Sequence, residues 1–149
     1  MIALPAAAAL LVALLLVPYL AGRATARDLV DLHTTIVASA VPIDVVSTDR
    51  HTVKPWFEGR LPFAFDIPEL AGTPFRVIGG RVVYAHEQPV GYVMIGKGSH
   101  KLSLFVARVA LPARSAHGIE SVTWRANGLS YALVGDVPRS DLEQLRARF

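Results

Sequence analysis

Ile2 to Ala21 is a run of 20 residues without a charge, the longest apolar stretch of the chain. As a helix it reaches about 30 Å, enough to cross a bilayer core. Pro5 and Pro18 sit near its ends, where a helix tolerates proline best. Residues 1–22 are therefore expected to form a transmembrane helix. A cleaved signal peptide is the competing reading, because Ala24-Thr25-Ala26 resembles a small-residue cleavage site. The length of the run and the lack of Lys or Arg before it favour the membrane helix.

The periodicity then changes. From Asp28 to Ala40, Leu29, Leu32, Ile36 and Ala40 recur at spacings of three and four, which predicts an amphipathic helix. Asp28 and Asp31 fall in its first turn, where the helix dipole favours negative charge. Residues 23–46 are read as this juxtamembrane helix and a linker, close enough to the membrane helix for movement in one to be felt by the other. In the stretch DRHTVKPWFEGRL, Lys54 precedes a proline and is expected to be extended. Pro55 suits the first position of a helical turn and Gly59 the position just past it. This predicts one turn over Pro55–Glu58, with Trp56 and Phe57 about 100° apart. Residues 62–74 hold Pro62, Pro68 and Pro74 and read as an irregular connection, with Phe63 and Phe65 on a short edge strand.

After Phe75 the pattern is of short alternating runs. Phe75–Ile78, Arg81–Ala85, Val90–Ile95, His100–Arg108, Glu120–Arg125 and Leu129–Val134 carry it. Gly79-Gly80, the four-residue HEQP and Gly96-Lys97-Gly98 read as the turns between the early runs. Asn127-Gly128 is a strong hairpin signal. Connections this short demand antiparallel neighbours. Ser140-Asp141-Leu142-Glu143 reads as a capping box opening a last helix, with Leu142, Leu145 and Phe149 as its apolar stripe. The expected class is α+β. Its parts are an N-terminal transmembrane helix, a short amphipathic helix, an antiparallel β-meander of about five strands and a C-terminal helix. Residues 47–149 form the α+β domain.

Charge adds little. The net charge of +3 comes mostly from 12 Arg scattered singly, so no nucleic-acid footprint is visible. No cysteine is present, which excludes disulfides and Cys-based zinc sites within these residues. The histidines, His33, His51, His86, His100 and His117, lack the spacing of a helical zinc site. His51, His86 and His100 form a metal site only if the fold brings them together. Ser99 and His100 are neighbours in a strand and face opposite ways, and no nucleophile elbow or phosphate loop is present. No metal, cofactor or catalytic residue is expected, and the chain does not read as an enzyme.

Two readings of the dense stretch remain. Trp56 and Phe57 serve as buried anchors, since aromatics bury large areas. Or one of them, with His51 or Lys54, forms a sensing or partner surface. His51, Lys54, Trp56 and Phe57 are therefore the candidate surface.

The residues Ser47-Thr48-Asp49-Arg50-His51-Thr52-Val53-Lys54-Pro55-Trp56-Phe57 are followed by Gly79-Gly80-Arg81 with Tyr84. His100 and Leu104-Phe105-Val106 come next, then Trp124, Gly128 and Tyr131, and a closing Asp-Leu-Glu-Gln-Leu helix. Together they resemble the C-terminal region of bacterial transmembrane anti-sigma factors, from the membrane helix to Phe149. The resemblance implies a structural role for Asp49, Arg50, Pro55, Gly79, Gly80, Trp124 and Tyr131. It also implies a single-pass protein of the inner membrane, with an extracytoplasmic sensor-like domain. Its partners would be the membrane, an extracytoplasmic-function sigma factor, and an intramembrane or periplasmic protease. In that family a cytoplasmic His-x-x-x-Cys-x-x-Cys zinc domain upstream of the membrane helix holds the sigma factor. With no Cys here, sigma binding would fall to an N-terminal domain missing from this sequence.

By the positive-inside rule alone, Arg23 and Arg27 would place the C-terminal part in the cytoplasm. That signal rests on two arginines, and the resemblance places the domain outside. The other functional class is a membrane-tethered periplasmic module that binds a ligand or a peptide strand, with no sigma partner.

Overall fold

The alternating runs pair into one sheet. In the computed structural model, which describes residues 12–14, 29–85 and 87–149, six antiparallel strands stand in the order β1-β2-β3-β4-β6-β5. They are β1 (Val45–Val46), β2 (Phe75–Ala85), β3 (Gln88–Lys97), β4 (His100–Ala107), β5 (Glu120–Ala126) and β6 (Leu129–Gly135). Three helices pack on it: α1 (residues 29–38), α2 (Arg50–Phe57) and α3 (Arg139–Arg146). The α+β class and the antiparallel sheet are as expected. The detail differs from a five-stranded meander: β1 adds a sixth strand, and β4 pairs with β6 rather than with β5. The connection of residues 108–119 carries the chain to the outer edge, and β5 then turns back through Asn127-Gly128 onto β6. Both turn residues have positive φ, 51° and 76°, as this hairpin type requires.

Both sheet faces are covered, so the central strands bury every other residue in each direction. On one face Val93, Ile95, Leu102, Leu104 and Leu133 meet Val53 and Phe57 of α2, the segment from Leu61 to Leu70, and Leu142 and Leu145 of α3. On the other, Tyr92, Met94, Phe105 and Val134 meet Leu29, Val30 and Ile36 of α1 and Leu111 of the crossing connection. The helix expected after the apolar run is thus a layer of the domain. Its buried side differs from the expected stripe: Leu29, Val30, His33 and Ile36 face the sheet, Leu32 is half-buried, and Ala40 is exposed and lies past the helix.

Several local expectations are corrected. Gly79-Gly80 is not a turn but the middle of β2, next to an irregularity in register between Val77 and Gly79. An added Cβ at Gly79 would lie 2.1 Å from the Val45 carbonyl oxygen, so the glycine lets β1 lie alongside. Gly96 is likewise in a strand, and only Gly98, with φ 57°, belongs to the β3–β4 turn. Gln88 and Pro89 of HEQP are not turn residues but the start of β3, where Gln88 pairs with Ala85. Phe63 and Phe65 lie in irregular chain, not an edge strand.

The helix holding Pro55 begins five residues earlier than the single predicted turn, so Lys54 is helical rather than extended. Pro55 cannot donate to the His51 carbonyl, but His51 is exposed and water can take that place. Gly59 does end this helix, with φ 77°. The capping box does not form: Pro138 is the N-cap of α3, no side chain caps it, and Glu143 pairs with Arg139 and Arg146. Phe149 lies beyond α3.

Among the described residues no helix is long and apolar enough to cross a membrane. The expected membrane helix of residues 1–22 lies outside them, apart from residues 12–14.

Candidate functional site

Asp49 starts the site. Its carboxylate accepts a hydrogen bond from the His51 amide at 2.8 Å, and its own amide donates to Ser47 Oγ at 3.1 Å. An acidic N-cap of this kind satisfies an otherwise orphaned helical donor. Helix α2 then presents its residues at helical spacing. Arg50 and Lys54, four apart, share one side. Arg50 Nη1 donates to the Ile67 carbonyl at 3.2 Å, and its Nε lies 3.4 Å from Glu69. Lys54 forms an ion pair with Asp66. These two cations fasten α2 to the segment that follows it.

Trp56 and Phe57 divide as their angular separation predicts. Phe57 is buried and sits 5.1 Å from the Phe65 ring. Trp56 is half-buried, edge-on to Phe57 at 5.2 Å. The Arg60 guanidinium covers the Trp56 ring at 4.5 Å and donates to the Trp56 carbonyl at 2.7 Å. Of the candidate surface, His51 is exposed, Trp56 is half-buried under Arg60, Lys54 is ion-paired and Phe57 belongs to the core. Pro55 is exposed between them. The second motif block meets the first here: a Cβ on Gly80 would lie 2.7 Å from Phe57 Cζ and 3.0 Å from the Tyr92 carbonyl oxygen. Gly80 is the seat of the Phe57 ring. Next to the N-cap lies an open cavity of about 310 Å³, lined among others by Thr48, Asp49, Arg50, Glu69 and Arg76.

Trp124 and Tyr131 are a cross-strand pair, brought opposite each other by the Asn127-Gly128 turn. Their rings stack at 5.0 Å with 8° between planes, and Phe149 closes on both at 5.3 and 5.8 Å. Burial, and secondarily the Asp66 carboxylate, raises the Tyr131 phenol above its ordinary pKa. This cluster lies on the same sheet face as α2 and α3.

The polar group that sequence reasoning missed is His33. On α1, its Nδ1 lies 2.7 Å from Ser103 Oγ, and Ser103 donates to the Tyr92 hydroxyl at 3.3 Å. All three are buried. A polar residue at a buried helical position was the available signal. Its partner lies in β4, and no local spacing points there. Burial lowers the His33 pKa, with Asp136 opposing more weakly, and burial pushes the Tyr92 phenol up to about 12. Ser103 is fully enclosed, so this Ser–His pair is closed to any substrate in this conformation.

His100 is paired with Asp136 at 3.1 Å, not with His51. His86, the third member of the considered trio, lies outside the described residues. Among the described residues no cluster of three His, Cys, Asp or Glu side chains could hold a metal ion. Comparison of the chain with protein-family models, curated proteins and solved structures finds no match.

Proposed function

We propose that this chain is the membrane-anchored extracytoplasmic portion of a transmembrane anti-sigma factor, relaying an envelope signal to an extracytoplasmic-function sigma factor. The observation that carries the reading is the placement of α1. It follows the apolar run closely, yet it is built into the second core through Leu29, Val30, His33 and Ile36. A change that loosens the domain therefore frees the segment next to the membrane, and a pull on that segment strains the domain. Such a device relays a signal only if the signal interacts differently with the docked and released states. The meeting of Phe57 with Gly80 gives further support, because it joins two of the blocks on which the resemblance rests. In this reading the sigma factor is held by a cytoplasmic domain outside the sequence described, and proteolysis of the released segment ends that hold.

Deletion of the coding region in the source bacterium tests this. The transcripts of one extracytoplasmic-function sigma regulon should rise several-fold and return on complementation. An unchanged set of such regulons would overturn the proposal.

The second reading is a membrane-tethered periplasmic module with no sigma partner. The cavity beside Asp49 and Arg50 favours it, since two cationic and two anionic side chains line it. Saturable binding of a small polar ligand there, with every sigma regulon unchanged, would select this alternative.

A further inference from the structure

A histidine is an unusual choice for the inner face of a helix, since any hydrophobe would cover the sheet there. His33 is 4% exposed, against strands β3 and β4. Among the described residues its partner on these strands is the Ser103 hydroxyl, itself committed to Tyr92. The remainder of the α1 contact is apolar: Leu29, Val30 and Ile36 against Tyr92, Met94, Phe105 and Val134. A neutral imidazole fits such a place, whereas an imidazolium loses hydration with no carboxylate in contact among the described residues.

We propose that His33 is an acid-operated latch: protonation of its ring releases α1 from the sheet while the sheet and its other layer stay folded. This goes beyond the sigma-factor reading and does not require it, because the release is a property of this chain alone.

The surrounding charges are consistent with this. From β3, Tyr92 remains a neutral phenol through the relevant range, its pKa being about 12. From β4, Ser103 does not titrate. Past the end of β6, Asp136 favours the charged ring, but it is exposed and engaged by His100. From β2, Arg81 acts on the Tyr92 phenol and is itself bound to Asp44 and the Val41 carbonyl. His117 lies across an open cavity from the solvent side of α1, near Asp31 and Thr35, and is exposed.

The sign follows from the burial. The docked His33 has a pKa below its ordinary 6.5, so the released state binds the proton more tightly. Docking is at full strength above that value. It weakens as pH falls below about 6.5, by up to about tenfold per pH unit, until the docked pKa is reached.

Hydrogen exchange on the full chain in detergent micelles, from pH 7.5 to 5.0, tests the latch. Protection factors remove the intrinsic pH dependence of exchange. Those of residues 32–38 should fall steeply below pH 6.5 while those of β3 and β4 hold. In His33→Asn, whose amide can still meet Ser103, the α1 factors should stay level across the range. Protection of α1 that is constant in the wild type, that falls equally in the variant, or that falls together with the sheet overturns the proposal. Should the variant show no α1 protection at pH 7.5, an NMR titration of the wild-type His33 ring decides. Proton uptake in step with the loss of α1 protection supports the latch, and uptake with α1 still protected overturns it.

Discussion

The Phe57 ring rests on Gly80, whose missing Cβ would stand 2.7 Å from its Cζ. The helix of the dense motif and the middle of strand β2 therefore depend on each other. Gly80→Ala should cost about 1–3 kcal/mol, the usual range for overpacking a filled core. Phe57→Leu placed on top should recover part of that loss, because the smaller side chain vacates the space. Urea denaturation of the four members of this cycle checks the coupling, and strictly additive costs would refute it.

Trp56 and Phe57 should behave differently although they are adjacent. Phe57→Ala opens the core and should cost about 3–5 kcal/mol. Trp56→Ala removes a half-buried ring and its stacking with Arg60, and should cost about 1 kcal/mol. If Trp56 belongs to a sensing surface, the folded Trp56→Ala chain should lose the signal-dependent rise of the sigma regulon. A normal response in a folded variant would assign Trp56 to packing alone.

Asp49→Ala should cost about 1 kcal/mol through loss of the cap on α2, and Asp49→Ser or Asp49→Asn should recover most of it. Amide exchange at His51 and Thr52 is the direct readout. Equal exchange in the Ala and Asn variants would show that the cap does not hold the helix.

Ser103→Ala removes the hydroxyl between His33 and Tyr92 without altering the sheet. Two buried polar groups then lose a partner, at about 1–3 kcal/mol. Denaturant midpoints of wild type and variant at pH 7.5, where His33 is neutral, measure this. A variant as stable as the wild type would mean that the His33–Ser103 contact adds nothing to docking.

Where neighbours in the chain settle a feature, the sequence was enough. Leu102, Leu104 and Val106 alternate with Ser103, Phe105 and Ala107, and β4 buries them on opposite faces as that period requires. Asn127-Gly128 takes the positive φ values of a tight hairpin, which puts Trp124 across from Tyr131. Trp56 and Phe57 part company because consecutive residues of a helix point in different directions.

Tertiary contacts decided the rest. Gly79-Gly80 has the composition of a turn, yet it stays extended because Val45 on one side and Phe57 on another need the space its side chains would fill. Ser140 and Glu143 spell a capping box that the Pro138 start of α3 leaves unused. His33 looks like a surface residue until a serine 70 positions away meets it in the core. Local spacing encodes turns and faces. Which polar group is buried, and against what, depends on layers that form only when distant segments pack together.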